Sequence, residues 1–185
     1  SESHSLIAGL SGAAIAIQNG VGGINMSEWV KVLYGLVASL ALGFCIGWVV
    51  CKGLTILCRK MDRRRTNQFF TGAEIFGAAA MSFMHGAQDG QKFIGVLFLG
   101  VAFSNGMSSV SGVLIPVWLM VLCSAVMGIG TSVGGEKIIK AVGMDMVKLE
   151  KYQGFSADLS AALCLLLSSL FGIPVSTTHT KTSAI

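Results

Sequence analysis

The chain has little charge and almost no proline. Only 12% of its 185 residues are Asp, Glu, Lys or Arg, and it holds two prolines, two tyrosines and five cysteines. Soluble domains carry about 25% charged residues, so an ordinary water-facing surface cannot be built from this composition. The same scarcity, without repeats or low-complexity tracts, excludes disorder, collagen and coiled coil. Cys45, Cys51, Cys58, Cys123 and Cys164 show no CxxC pair and no histidine cluster nearby. They are expected to be packing residues rather than disulfides or metal ligands.

Apolar side chains and glycine are abundant. Hydrophobic residues make up 53% of the chain, 24 residues are glycine and the mean hydropathy is +0.73. Small residues let helices approach closely in lipid, so the expected fold is all-α, with about four polytopic transmembrane helices. The 13 Lys and Arg against nine Asp and Glu give a net charge of +4. Arg59, Lys60, Arg63, Arg64 and Arg65 are clustered between apolar segments, which marks residues 59–68 as a cytoplasmic loop and argues against a nucleic-acid partner.

Along the chain, Leu6 to Ile17 is apolar but spans only about 18 Å as a helix, short of a ~30 Å bilayer core. It is expected to be one arm, over residues 1–19, of a re-entrant hairpin, or the end of a span. Val32 to Cys51 carries no charge, lies between Lys31 and Lys52, and has Trp29 and Trp48 toward its ends, as a spanning helix should. Phe69 to Phe103 is too long for one straight crossing, and its middle reads His85-Gly86-Ala87-Gln88-Asp89-Gly90-Gln91-Lys92. A glycine-bracketed polar stretch there predicts a discontinuous helix whose half-helix ends can bind ions. Ser104 to Gly112 reads as a polar loop, Val113 to Gly130 as a span containing Pro116, and Thr131 to Gln153 as a short surface helix with its linkers. Phe155 to Phe171 is apolar apart from Asp158 and several serines. It leads into Gly172-Ile173-Pro174-Val175-Ser176-Thr177-Thr178-His179-Thr180-Lys181-Thr182-Ser183, which is too polar for contact with lipid.

Ser1-Glu2-Ser3-His4-Ser5 and Ser176-Thr177-Thr178-His179-Thr180 share a Ser-x-(Ser/Thr)-His-(Ser/Thr) pattern. Transporters built by duplication bind substrate where two related halves meet, so a recurring polar motif is a candidate site. Clustered hydroxyls with few fixed cations suit an oxyanion that must be held and released. Single serines commonly do no more than bridge helices. No Gly-x-Ser-x-Gly or HExxH motif supports the alternative of an intramembrane hydrolase, and Gly130 to Lys137 fails the P-loop pattern because Glu136 stands at its lysine position.

These residues resemble the inorganic phosphate transporter (PiT) family. Its second half carries Gly-Phe-Ser-x-Glu-Leu, an Ala-rich span and Gly-x-Pro-x-Ser-Thr-Thr-His-x-Lys. Gly154-Phe155-Ser156-Ala157-Asp158-Leu159 and Gly172 to Lys181 match in order and spacing. His85 to Lys92 is similar to the second Gly-Ala-Asn-Asp motif of bacterial members. Gln88 stands where the family has Asn, Asp158 where it has Glu, and Glu2 where it has Ser or Thr. The resemblance implies a fragment of a two-repeat, inverted-repeat transporter in the cell membrane, multi-pass, with 69–185 as its second repeat. It implies symport of inorganic phosphate with a sodium ion or proton and no cofactor, not an enzyme. Another oxyanion such as sulfate is the alternative cargo, and a homodimer is left open. Phosphate would be bound by Ser176, Thr177, Thr178, Thr180, Ser1, Ser3 and Ser5. Asp89, Gln88 and Asp158 would serve the coupling cation, with pairing to Lys92 or Lys181 as the plainer role of the two aspartates. His85, His179 and His4 would relay protons or orient the loops.

Overall fold

A computed structural model describes residues 2–106, 114–141, 147–173 and 175–185, and among these the regular structure is helical throughout. The elements are α1 (Glu2–Gln18), a 3-10 turn (Val21–Gly23), α2 (Met26–Cys58), α3 (Arg63–Ser104), α4 (Val117–Lys140), α5 (Lys151–Leu170) and α6 (Thr177–Ala184). Three helices among the described residues are long and apolar enough to cross a membrane: Met26–Cys58, Val117–Glu136 and Lys151–Leu170. The all-α membrane-type fold read from composition is therefore what forms, with α3 failing on composition rather than length. The chain divides into two compact units, one of residues 1–84 with 149–185 and the other of residues 85–148.

Local chemistry sets the helix ends in the first unit. At the end of α1, Asn19 takes a left-handed conformation with φ 51° and the Gly20 N–H bonds to the Ile15 carbonyl, the six-to-one bond of a Schellman stop. Asn25 starts α2 by accepting the Ser27 N–H at 3.1 Å. α5 begins with the Glu150 N–H donating to the Gln153 side chain at 2.9 Å. It ends in a second Schellman motif, with Gly172 at φ 64°, its N–H on the Ser169 carbonyl and the Ile173 N–H on the Ser168 carbonyl. Glycine carries that conformation without a Cβ penalty. Ser176 then caps α6 by accepting the His179 N–H at 3.3 Å.

Four small residues on α2, Gly35, Ser39, Gly43 and Gly47, recur every fourth position and are all buried. That spacing lays them along one face, and α2 packs against both α5 and α6. A Cβ on Gly43 would overlap the Ser183 hydroxyl and lie 2.7 Å from the Thr180 carbonyl; one on Gly47 would lie 2.7 Å from the Ala184 carbonyl. The backbone of α6 thus rests directly on the glycine face of α2. Behind it, Met81 of α3, Ala161, Ala162 and Leu165 of α5, and Val175 and Ala184 form one apolar cluster, with Ile173 packed against it. Phe70 is buried against the rings of Tyr152 and Phe155. In the second unit, Phe98, Leu119 and Cys123 form a smaller core with Ile94 and Ile115.

Several boundaries differ from those read in the sequence. α3 is one continuous helix through residues 85–92, so the expected discontinuity is absent. His85, Asp89 and Lys92 recur at helical spacing, and His85 and Lys92 both pair with Asp89 along one face without breaking the backbone ladder. Of the surface helix and linkers expected over Thr131 to Gln153, residues 131–140 extend α4 and α5 starts at Lys151, while residues 142–146 lie outside the described residues. α4 begins after Pro116, whose carbonyl accepts the Leu119 N–H at 3.1 Å, consistent with proline lacking the N–H a helix interior needs. The arm expected over 1–19 coincides with α1, while most of the loop expected over 104–112 lies outside the described residues. All five cysteines are unpaired, with Cys123 and Cys164 buried.

Replacing Gly43 or Gly47 by alanine should lower stability by roughly 1 to 3 kcal/mol, the usual cost of overpacking, whereas Gly53, with open space around it, should tolerate alanine. Thermal unfolding of the three variants in detergent checks this. Equal midpoints would show that α6 does not rest on α2.

Candidate functional site

The two Ser/Thr-His motifs meet inside the first unit. The His4 ring of α1 and the His179 ring of α6 lie 5.6 Å apart between centroids, tilted by 42°. Ser3 beside His4 is buried, as are Ser176, Thr177 and Thr180, while Ser5 and Thr178 are exposed. Ser1 lies outside the described residues, as does Pro174.

The hydroxyls divide by what they bind. Thr180 is fully buried and its hydroxyl donates to the Ser176 carbonyl at 2.9 Å. Ser183 donates to the Thr180 carbonyl at 3.0 Å and approaches the Ser39 carbonyl at 3.5 Å. A hydroxyl has one proton to give, and in this structure the Thr180 hydroxyl gives it to its own helix. Ser176 Oγ accepts the His179 N–H, an N-cap role. Thr178 has an exposed side chain. Its hydroxyl and N–H sit in the first turn of α6, where unsatisfied donors and the helix dipole favour an anion.

Both aspartates are paired. Asp158 on α5 is held by Lys181 of α6 at 3.0 Å, the lysine side chain being 41% exposed and the carboxylate 13%. Asp89 in the second unit is almost wholly buried and accepts from Lys92 at 2.7 Å and His85 at 2.9 Å. Gln88 beside it is buried with its Oε1 unpartnered. The plainer role weighed for each aspartate, pairing with Lys92 or Lys181, is thus present. It is compatible with an ionic one, since charge at membrane depth needs compensation whatever its task.

Sequence reading missed two other orphaned atoms, Ser156 Oγ and His179 Nδ1, each buried without a partner. Glu74, which has no counterpart in the family motifs and for which the sequence suggests only a place one turn from an interface, has its Oε1 2.7 Å from where a Cβ on Gly154 would be, in the first turn of α5. No motif marks Glu74; only the absence of a side chain at Gly154 makes room for it.

With this geometry in view, sequence comparison decides the kinship: a family described as "Phosphate transporter family" matches residues 1–185. The chain belongs to the phosphate transporter family. Its relatives include a Bacillus subtilis (strain 168) protein named "Probable low-affinity inorganic phosphate transporter", 34% identical over the whole of this chain and 55% of its own length. Proteins of the same name from Rhizobium meliloti (strain 1021), 33% identical, and Mycobacterium leprae (strain TN), 34% identical, are also covered along the whole of this chain, with 54% and 44% of their own lengths matched. The chain spans about half the length of these relatives. No solved structure matches it.

Within this family member, Asp158→Asn should leave Lys181 without its partner and lower stability by about 1 kcal/mol, discounted for the lysine's exposure, and adding Lys181→Gln should recover part of the loss. A double-mutant cycle read by denaturation in detergent micelles measures the coupling. A coupling of zero would mean that the pair holds nothing in place.

Proposed function

We propose that this chain is part of a multi-pass membrane transporter that carries inorganic phosphate by secondary transport, coupled to a sodium ion or proton, and performs no catalysis. The observation that carries this reading is the meeting of the His4 and His179 motifs within one unit. Family membership and the printed names of the relatives support the cargo. Phosphate oxygens would be received by the Thr178 hydroxyl and N–H at the start of α6, with Ser176 and Thr177 shaping that turn and Ser3 and Ser5 contributing from α1. Neutral donors suit turnover, because a site built from arginines would hold phosphate too firmly to release it.

Asp89 is the proposed coupling group. Its carboxylate is buried and already holds two cationic or protonatable partners, so a transported cation would bind by displacing the Lys92 ammonium rather than by entering an open charge. Asp158, exchanging its bond to Lys181, would do the same in the first unit. His85, 2.9 Å from the same carboxylate as Lys92, that of Asp89, would relay a proton to it or orient it.

Uptake of radiolabelled phosphate by vesicles holding the full-length transporter tests both halves of the proposal. A charge-assisted hydrogen bond contributes about 1.5 to 3 kcal/mol, so Thr178→Val should weaken apparent phosphate affinity on the order of tenfold to a hundredfold with thermal stability unchanged. Thr180→Val should instead lower stability. An unchanged phosphate concentration dependence in Thr178→Val would move the site elsewhere. For the coupling ion, Asp89→Asn should abolish the dependence of uptake on sodium or pH, and Lys92→Gln should raise the apparent affinity for that cation. Wild-type cation dependence in both variants would rule Asp89 out.

A further inference from the structure

We propose that the turn joining α2 to α3 is a docking site for the headgroup of an anionic phospholipid. The inference rests on the membrane embedding proposed above but not on phosphate transport. α2 is an apolar helix of 33 residues ending at Cys58, and α3 starts at Arg63. The turn therefore sits at the end of a candidate span. Arg59, Lys60, Arg63, Arg64 and Arg65 crowd into it, all exposed. Among the described residues, only Arg63 has an acidic partner, Glu150 at 3.4 Å, in a pair so exposed that it contributes little.

This arrangement works against the helix it begins. Three successive arginines occupy the first turn of α3, which contains no acidic residue. Cations there oppose the positive end of the helix dipole and repel each other. Asp62 offsets this only in part, with one carboxylate oxygen 3.5 Å from the Arg64 N–H. An incoming anion would relieve both penalties, and guanidinium groups match the fork of a phosphodiester. Apolar side chains flank the charges and are exposed: Ile56 at 66%, Leu57 at 75% and Met61 at 49%. Free phosphate makes no use of such a flank, whereas a lipid lays its acyl chains along it. A headgroup held by the basic side chains with chains over Ile56 and Leu57 uses both features, which selects lipid over a free anion.

Native mass spectrometry of the full-length transporter, with phosphatidylglycerol and phosphatidylcholine supplied in equal amounts, reads the preference directly. Each basic residue near an anionic surface strengthens binding about fivefold, so the wild type should retain phosphatidylglycerol in preference by on the order of a hundredfold or more. Arg63→Gln, Arg64→Gln and Arg65→Gln together should remove most of that preference, and the same three changed to lysine should keep most of it. If the glutamine triple variant fails to insert, Arg64→Gln alone should show the roughly fivefold loss. The proposal is overturned by equal retention of the two lipids, by a preference that survives neutralisation, or by displacement of phosphatidylglycerol with equimolar inorganic phosphate. Equal retention of the two lipids by the wild type with intact phosphate uptake refutes only this proposal; a wild-type preference for phosphatidylglycerol without uptake refutes only the transport reading.

Discussion

Everything in the first unit depends on how closely α6 can approach α2. α6 has eight residues, seven of them hydroxyl-bearing, histidine or lysine, and it cannot be held by an apolar face because it has none. What holds it is the absence of side chains on its partner. Gly43 and Gly47 let the Thr180 and Ala184 carbonyls come to a distance that any Cβ would forbid. Close backbone packing of small residues is the contact available to helices that gain nothing from burying apolar surface in lipid. The Schellman stop at Gly172 and the serine cap at Ser176 then aim the chain so that His179 reaches His4.

Holding a polar helix in this way consumes most of its polar groups. Thr180 and Ser183 give their protons to carbonyls of their own helix, and Ser160 and Ser168 of α5 do the same. Hydroxyls in buried helices are thus satisfied by carbonyls one turn back. Thr178 is exposed in the first turn of α6. The carboxylates follow the same logic, since Asp89 and Asp158 each carry a lysine partner. Each lysine offsets the charge of a carboxylate that the fold takes out of water.

How much of this is legible in sequence follows from which interactions are local. The charge-free run of α2, the apolar body of α5, the Gly172 stop and the Ser176 cap all depend on neighbours within a turn, and each can be read directly. The pairing of the two histidine motifs is legible because the pattern repeats. The continuity of α3 is not: His85 to Lys92 contains both glycines, which suggest a break, and a helical polar spacing, which suggests a continuous face, and the outcome turns on bonds from Asp89 to both His85 and Lys92. The stripe Gly35-Ser39-Gly43-Gly47 is plainly spaced, but its partner lies more than a hundred residues away, so spacing shows that a face is small without showing what it receives. Glu74 and Gly154 are likewise linked only by the fold.

The central claim is that α6, seated on the glycine face of α2, brings the second histidine motif against the first. Cysteines substituted for His4 and His179 in a cysteine-free full-length protein, treated in membranes with a short bifunctional thiol reagent, test it most directly. The account predicts rapid intramolecular cross-linking that is strongly slowed when Gly43→Leu is added, because the leucine would lift α6 away from α2. Absence of the cross-link in the otherwise unaltered protein, or cross-linking indifferent to Gly43→Leu, would contradict it.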